Sequence, residues 1–233
     1  QTTQQAAFEA SVATGKVLDM GELGPKAKED WWYPSYMKDE CPGLPDWTAL
    51  RDCAEVFSTP ETAPEGRYLS GPVAWGGFDE ERVAALDLPF EVVHAGTDAG
   101  LFAELKSAYE REAPIMLWIY KPHWAPSVYE GEFVEFPAYE PACYEDTAWG
   151  PNPEARYDCG KPEGWIKKMA WAGGDEKWPC AYDIVRNFTM GGDEVGQLVY
   201  EVDVNDRDVE DVAMDWAREN EDRWREWASC AAE

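Results

Sequence analysis

The sequence predicts an α/β protein. Two observations carry this. Short apolar runs with strand character recur along the chain, and stretches of helical spacing, about ten to fifteen residues long, lie between them. FEVVHAG alternates as a half-buried strand does, and PIMLWIY is apolar throughout, as a buried strand is. The helical stretch DAGLFAELKSAYERE stands between the two. Strand, helix, strand in that order argues for a largely parallel sheet with helical crossovers.

Taken in order, QAAFEASVAT reads as a helix stopped by Gly15. KVLDM reads as a strand, GELGPKAKED as a loop, and WWYPSYMKDE as a strand running into a short helix. DWTALRDCAEVF has helical spacing with Asp46 placed to cap it. STPETAPEGRYLSGP reads as a connection rich in Pro, Gly and Ser. FDEERVAALDL is a helix with acids in its first turn, where the helix dipole favours them. GEFVEFP is a further strand, and residues 139–162 form a loop dense in Pro, Gly and acids. WIKKMAWAG then reads as a strand, EKWPCAYDIVRNFTM as a helix, and residues 207–229 as one long amphipathic helix.

The 233 residues are 45% hydrophobic, enough for one or two cores. No apolar run approaches the roughly 20 residues that a membrane-spanning helix needs. Against 47 acidic residues stand 20 basic ones, a net charge of -27. Such a surface repels nucleic acid and anionic lipid, which bind through Lys and Arg, and it attracts small cations. With 14% aromatic residues the acidity does not read as disorder. No charged segment followed by an apolar one opens the chain. The expectation is an exported protein whose signal peptide has been removed.

Six cysteines, none in a C-x-x-C pair, argue against zinc and for disulfides in an oxidising compartment. Cys41–Cys53 and Cys143–Cys159 would each close a short segment, and Cys180–Cys230 would tie down the C-terminal tail. The competing reading is six buried thiols in a cytosolic protein.

IMLWIYKPHWAP places Trp118, Tyr120 and Trp124 around a proline turn at a strand end. Core and rim packing is one account of them; a cage for a cation is the other. A methylated ammonium has a diffuse charge and no N–H, so ordinary hydrogen bonds do not hold it. Ring faces do, at about 0.5–2 kcal/mol per contact. Trp75, in the glycine-flanked turn PVAWGGF, is placed where the backbone can push a ring into a cleft. Trp216, Trp224 and Trp227 recur at helical spacing and are assigned to packing. For any single Trp, packing is the alternative.

The stretches WWYPSY, GPVAWGGFDEER, PIMLWIYKPHW and KKMAWAG occur in that order. Together they resemble the periplasmic substrate-binding proteins of ABC transporters for glycine betaine, proline betaine, choline and trimethylamine N-oxide. CPGLPDW, TPETAP and HAGTDA resemble the trimethylamine N-oxide binders most. The resemblance covers roughly residues 5–230 and implies a type II periplasmic-binding-protein fold. That fold has two α/β lobes, each a mostly parallel sheet flanked by helices, and binds its ligand in the cleft between them. Residues 1–30 and 165–233 are expected in the first lobe and 31–164 in the second. A strand–helix–strand unit of the family, ahead of the first helix, is expected to be missing.

The resemblance also implies the site. Trp75, Trp124 and Trp171 match the family's cage, with Trp32 or its neighbour Trp31 as a fourth wall. Tyr120 matches a cage position of some relatives and competes with Trp124. Where relatives place a ring after the strand KVLDM, this chain offers Glu22. Its carboxylate would face the cation, or, if buried and protonated, donate to an N-oxide oxygen; the alternative is a solvated loop acid. His94 and His123 form no metal or triad pattern, and no nucleotide or nucleophile motif is present. Glu145, Asp146, Asn152 and Asp158 are hard oxygen ligands that would suit a calcium ion; the alternative is an acidic loop held by Cys143–Cys159. The expected function is a monomeric receptor, partnered by a membrane permease, with no required cofactor. It would capture trimethylamine N-oxide first, then choline, then betaine. An enzyme acting on methylated amines and a surface domain without a small ligand are the competing readings.

Overall fold

The computed structural model describes residues 5–228 and 230. They cluster into two compact units. Unit 1 holds the described residues up to Ala27, Lys121–Ser127, and those from Glu163 onward; unit 2 holds Lys28–Tyr120 and Val128–Pro162. The short excursion Lys121–Ser127 into unit 1 was not part of the division expected from sequence.

Among the described residues six strands are formed: β1 Val17–Pro34, β2 Gly66–Ser70, β3 Phe90–His94, β4 Met116–Lys121, β5 Gly131–Phe133 and β6 Gly164–Trp171. In unit 2 the order is β3-β2-β4-β1-β5. β2 runs parallel to β3, with Tyr68 opposite Val92, and parallel to β4, with Tyr68 opposite Met116. β5 is antiparallel to β1, with Trp32 opposite Phe133. The core collects Trp31, Trp32, Tyr33, Tyr68, Met116, Leu117 and Ile119 with Leu101 and Leu105 of helix Asp98–Tyr109. The central strands are apolar on both faces because both faces are covered, as in other parallel sheets.

In unit 1, β1 pairs with β6, from Val17 opposite Trp171 to Ala27 opposite Gly164. This pairing is antiparallel, which corrects the expectation of a mostly parallel sheet there. β1 carries the chain out of unit 1 and β6 brings it back, so the two run in opposite senses. Among the described residues five helices follow: Gly174–Lys177, Pro179–Asn187, Gly192–Asp203, Val209–Glu219 and Glu221–Trp227. Trp227 packs on Phe188 at 5.0 Å and on Trp216 at 6.0 Å between ring centroids, as helical spacing indicated for Trp216 and Trp227.

GELGPKAKED, read as a loop, is the middle of β1. Gly21 and Gly24 take positive φ at two register shifts, and Pro25, which lacks an N–H, sits among them. The ladder survives because β6 supplies partners on either side of each bulge. GRYLS, read as part of a connection, is β2, fixed by two parallel neighbours that its own sequence does not announce. Helix Gly192–Asp203 was not foreseen. The helix expected over 207–229 breaks at Asn220, which ends one helix and starts the next. EKWPCAYDIVRNFTM divides at Pro179, the first residue of its second helix. Asp46 caps as expected, accepting from the Thr48 N–H at 2.8 Å. All six cysteines are paired, in the three pairs the sequence indicated. No described helix is long and apolar enough to cross a membrane.

Candidate functional site

Trp118 and Tyr120 stand two apart on β4 and therefore share a face of the strand. Their ring centroids are 4.9 Å apart. Trp75 joins them, 5.0 Å from Trp118, from a single helical turn, Val73–Trp75, that follows Pro72 and ends at Gly76. Helix Asp98–Tyr109 adds Phe102, edge-on to Tyr120 at 6.5 Å. Trp118 is 9% exposed and Trp75 41%, so one member of the cluster turns a large ring to solvent. Unit 2 thus brings together Trp75 and Tyr120, and it does so through Trp118. The i, i+2 spacing on β4 was the available signal for that third ring.

Why Trp75 stands out is local. Its ring lies on Gly71, where a Cβ would overlap it. Gly71 in turn offers its carbonyl to His94 Nδ1 at 2.8 Å, and His94 Nε2 donates to Glu80 at 2.7 Å. Burial opposes a charged His94, but these hydrogen bonds and the Glu80 charge outweigh it and raise its pKa.

The other candidate rings belong to unit 1. Trp124 is buried, beside His123 at 5.2 Å and Tyr200 of helix Gly192–Asp203 at 6.2 Å. Trp171, at the end of β6, is 60% exposed, and its carbonyl accepts the Tyr182 hydroxyl. His123 is buried, and its Nδ1 accepts from the Ala125 N–H at 3.2 Å. A pocket of about 510 Å³ opens within unit 1, lined by Lys26, Lys121, His123, Asp193 and Gln197 among others. Its lining is polar and proline-rich rather than aromatic, so it is not where the rings gather.

The chain presents tryptophans on a strand end and a turn, Trp171 at the end of β6 and Trp75 after Pro72. The family comparison decides the assignment: the model of the substrate binding domain of ABC-type glycine betaine transport systems matches residues 1–219. The chain belongs to this family. It is a substrate-binding component of an ABC-type transport system, and not an enzyme. The chain is 32% identical over 229 residues to the trimethylamine N-oxide-binding protein of Pelagibacter ubique (strain HTCC1062), covering 93% of this chain and 69% of that one. Solved structures share the fold. Lactococcal OpuAC, closed on glycine betaine, matches with a TM-score of 0.65 at 16% identity, over 97% of this chain and 76% of its own. A choline binding protein in complex with choline matches with 0.63 at 16% identity, over 97% and 71%.

Three expectations from sequence meet a different setting. Trp32 is 1% exposed, and a Cβ on Gly131 of the neighbouring strand would overlap its ring, so it is a packing residue of the sheet. Glu22 lies in a strand, not a loop; its side chain is 47% exposed and paired with Lys26 at 3.7 Å. The proposed calcium ligands do not converge: among the described residues no group of three or more acids, His or Cys is placed to hold a metal. Their oxygens serve the chain instead. Asp158 is buried and accepts from the Asn152 N–H at 2.8 Å, Asn152 Oδ1 accepts from the Glu154 N–H, and Asp146 accepts from the Ala148 N–H.

Proposed function

We propose that this protein receives a small methylated amine and delivers it to a membrane permease, with trimethylamine N-oxide preferred over choline and choline over glycine betaine. The observation that carries this is the cluster of Trp75, Trp118 and Tyr120, with the Trp75 ring held outward. Its faces suit a cation that offers no hydrogen-bond donor. Trp124 and Trp171 are the further ring candidates. First place for trimethylamine N-oxide is supported by the 32% identity with the Pelagibacter protein named for that ligand. Glu22 is half-exposed and paired with Lys26, and Trp32 is buried in the sheet. Three disulfides suit an oxidising compartment, and we place the protein in the periplasm.

Calorimetry with the three ligands tests this. Trimethylamine N-oxide should bind most tightly. Trp75→Ala should weaken it by about 1–3 kcal/mol, from lost cation–π contact and lost packing, while the thermal midpoint changes little. Betaine binding tightest, or wild-type affinity in Trp75→Ala, would overturn the reading.

A further inference from the structure

We propose that Asp79 and Lys161 are positioning residues for the ring of Trp75. The proposal rests on Trp75 as a ligand-contacting ring. It starts from four buried charges in unit 2: Asp30, Asp79, Arg82 and Lys161, all 8% exposed or less. Lys161 Nζ pairs with Asp79 Oδ2 at 3.1 Å. Arg82 pairs with Asp30 and stands 3.9 Å from Asp79 Oδ1. Two acids face two bases, so no net charge is buried. The remaining oxygen sites are filled as well. Trp31 Nε1 donates to Asp79 Oδ1 at 3.0 Å, Ser70 Oγ donates to Asp79 Oδ2 at 3.2 Å, and the Lys161 N–H donates to Asp30 at 2.8 Å. Desolvation offsets much of the attraction in such a group, so stability alone is a weak account of it.

Its place in the fold gives a better one. The Trp75 turn rests on the Asp79–Lys161 pair. A Cβ on Gly77 would lie 2.8 Å from Asp79 Oδ2 and 2.9 Å from Lys161 Nζ, and Gly77 has φ 153°, so the bare backbone of glycine is what fits there. On the far side of the same turn the Trp75 ring lies on Gly71. Lys161 arrives from the end of the loop clasped by Cys143–Cys159. That loop grips the turn a second time: Phe78 stacks on Tyr157, with centroids 4.4 Å apart and planes 13° from parallel. Both residues hold left-handed backbones, φ 60° and 68°. Such conformations persist only where the surroundings over-determine them. The charge pair below and the stack beside it therefore set where residues 75–78 run. A ring fixed in this way meets a cation without first having to be ordered, which preserves affinity.

The test uses protein labelled with 5-fluorotryptophan, the Trp75 fluorine line being assigned by its loss in Trp75→Phe. Lys161→Met should broaden or split that line and leave those of Trp216 and Trp227 in place. It should weaken trimethylamine N-oxide binding at least about fivefold, and should cause no further loss in a Trp75→Ala background, because residues acting through one another are not additive. If Lys161→Met does not fold, Lys161→Arg keeps the charge but puts a larger head group under Gly77, and the same two readouts apply. An unchanged Trp75 line, or equal losses in both backgrounds, would overturn the proposal. If Trp75→Ala alone leaves affinity intact, the ring reading above fails, and the fluorine line still decides whether Lys161 positions the ring.

Discussion

His123 and His94 show how one side-chain type takes opposite roles. Burial pushes the His123 pKa from 6.5 down to about 4. The unfolded chain therefore binds a proton near pH 6.5 that the folded chain refuses until about pH 4. Stability falls across that window as pH drops, on the order of 3 kcal/mol when complete. His94 has a raised pKa, so its stabilisation is full below about pH 6.5 and is lost as pH rises through the folded value. Burial opposes ionisation of its partner Glu80 as well, but His94 outweighs it and the Glu80 pKa is lowered; that share is present above about pH 4.5 and is lost as pH falls through the folded value. Two results are expected from urea unfolding. His123→Asn, which keeps an acceptor for the Ala125 N–H, should lose less stability than wild type between pH 7.5 and 5. His94→Asn should be more damaging at pH 5.5 than at pH 8.5. Equal effects at the paired pH values would show that neither environment is as described.

At the scale of elements, the long strand β1 decides most. Its first half is held by β6 despite two bulges, and Gly24 is the tighter of them. It has φ 129°, and a Cβ there would lie 2.6 Å from the Met190 carbonyl oxygen. Gly24→Ala should therefore cost about 1–3 kcal/mol. Gly15 also has positive φ, at 68°, but nothing lies near its Cβ position, and Gly15→Ala should cost less. A shared urea midpoint for the two variants would argue against the β1 contact to Met190. The disulfides divide by loop length in the same way. Cys180–Cys230 spans 50 residues and Cys143–Cys159 spans 16. In the chain-entropy model their removal costs about 4 and about 3 kcal/mol. Replacing each pair by serines and comparing midpoints checks the order.

Over the whole molecule the dominant fact is the net charge of -27. Like charges repel more in the compact state than in the expanded one, and salt screens the repulsion over roughly 10 Å at 0.1 M. The thermal midpoint should therefore rise between 10 and 200 mM sodium chloride (values on the order of the Debye range). A flat or falling midpoint would mean that the surface ion pairs, each of which contributes little, together outweigh self-repulsion. Mass spectrometry without reductant should find no alkylatable thiol, since all six cysteines are paired.

Composition, periodicity and cysteine order were enough for the α/β class, the disulfide pairs and the packing of Trp216 and Trp227, while the family came from the resemblance of WWYPSY, GPVAWGGFDEER, PIMLWIYKPHW and KKMAWAG. These are local or compositional properties: a cap needs its Asp, and a buried strand needs its apolar run. What a segment borrows from distant chain was not legible. GELGPKAKED reads as loop until β6 lies beside it, and GRYLS reads as connection until β3 and β4 flank it. In sequence Trp75 matches a cage position and Trp32 offers a fourth wall; Gly131 covers Trp32, and Gly71 with the Asp79–Lys161 pair holds Trp75 outward. The oxygens of Asp146, Asn152 and Asp158 looked like a cation's ligands because side-chain type was visible and direction was not. Direction is set by contacts between residues far apart in the chain, and only the tertiary structure fixes those.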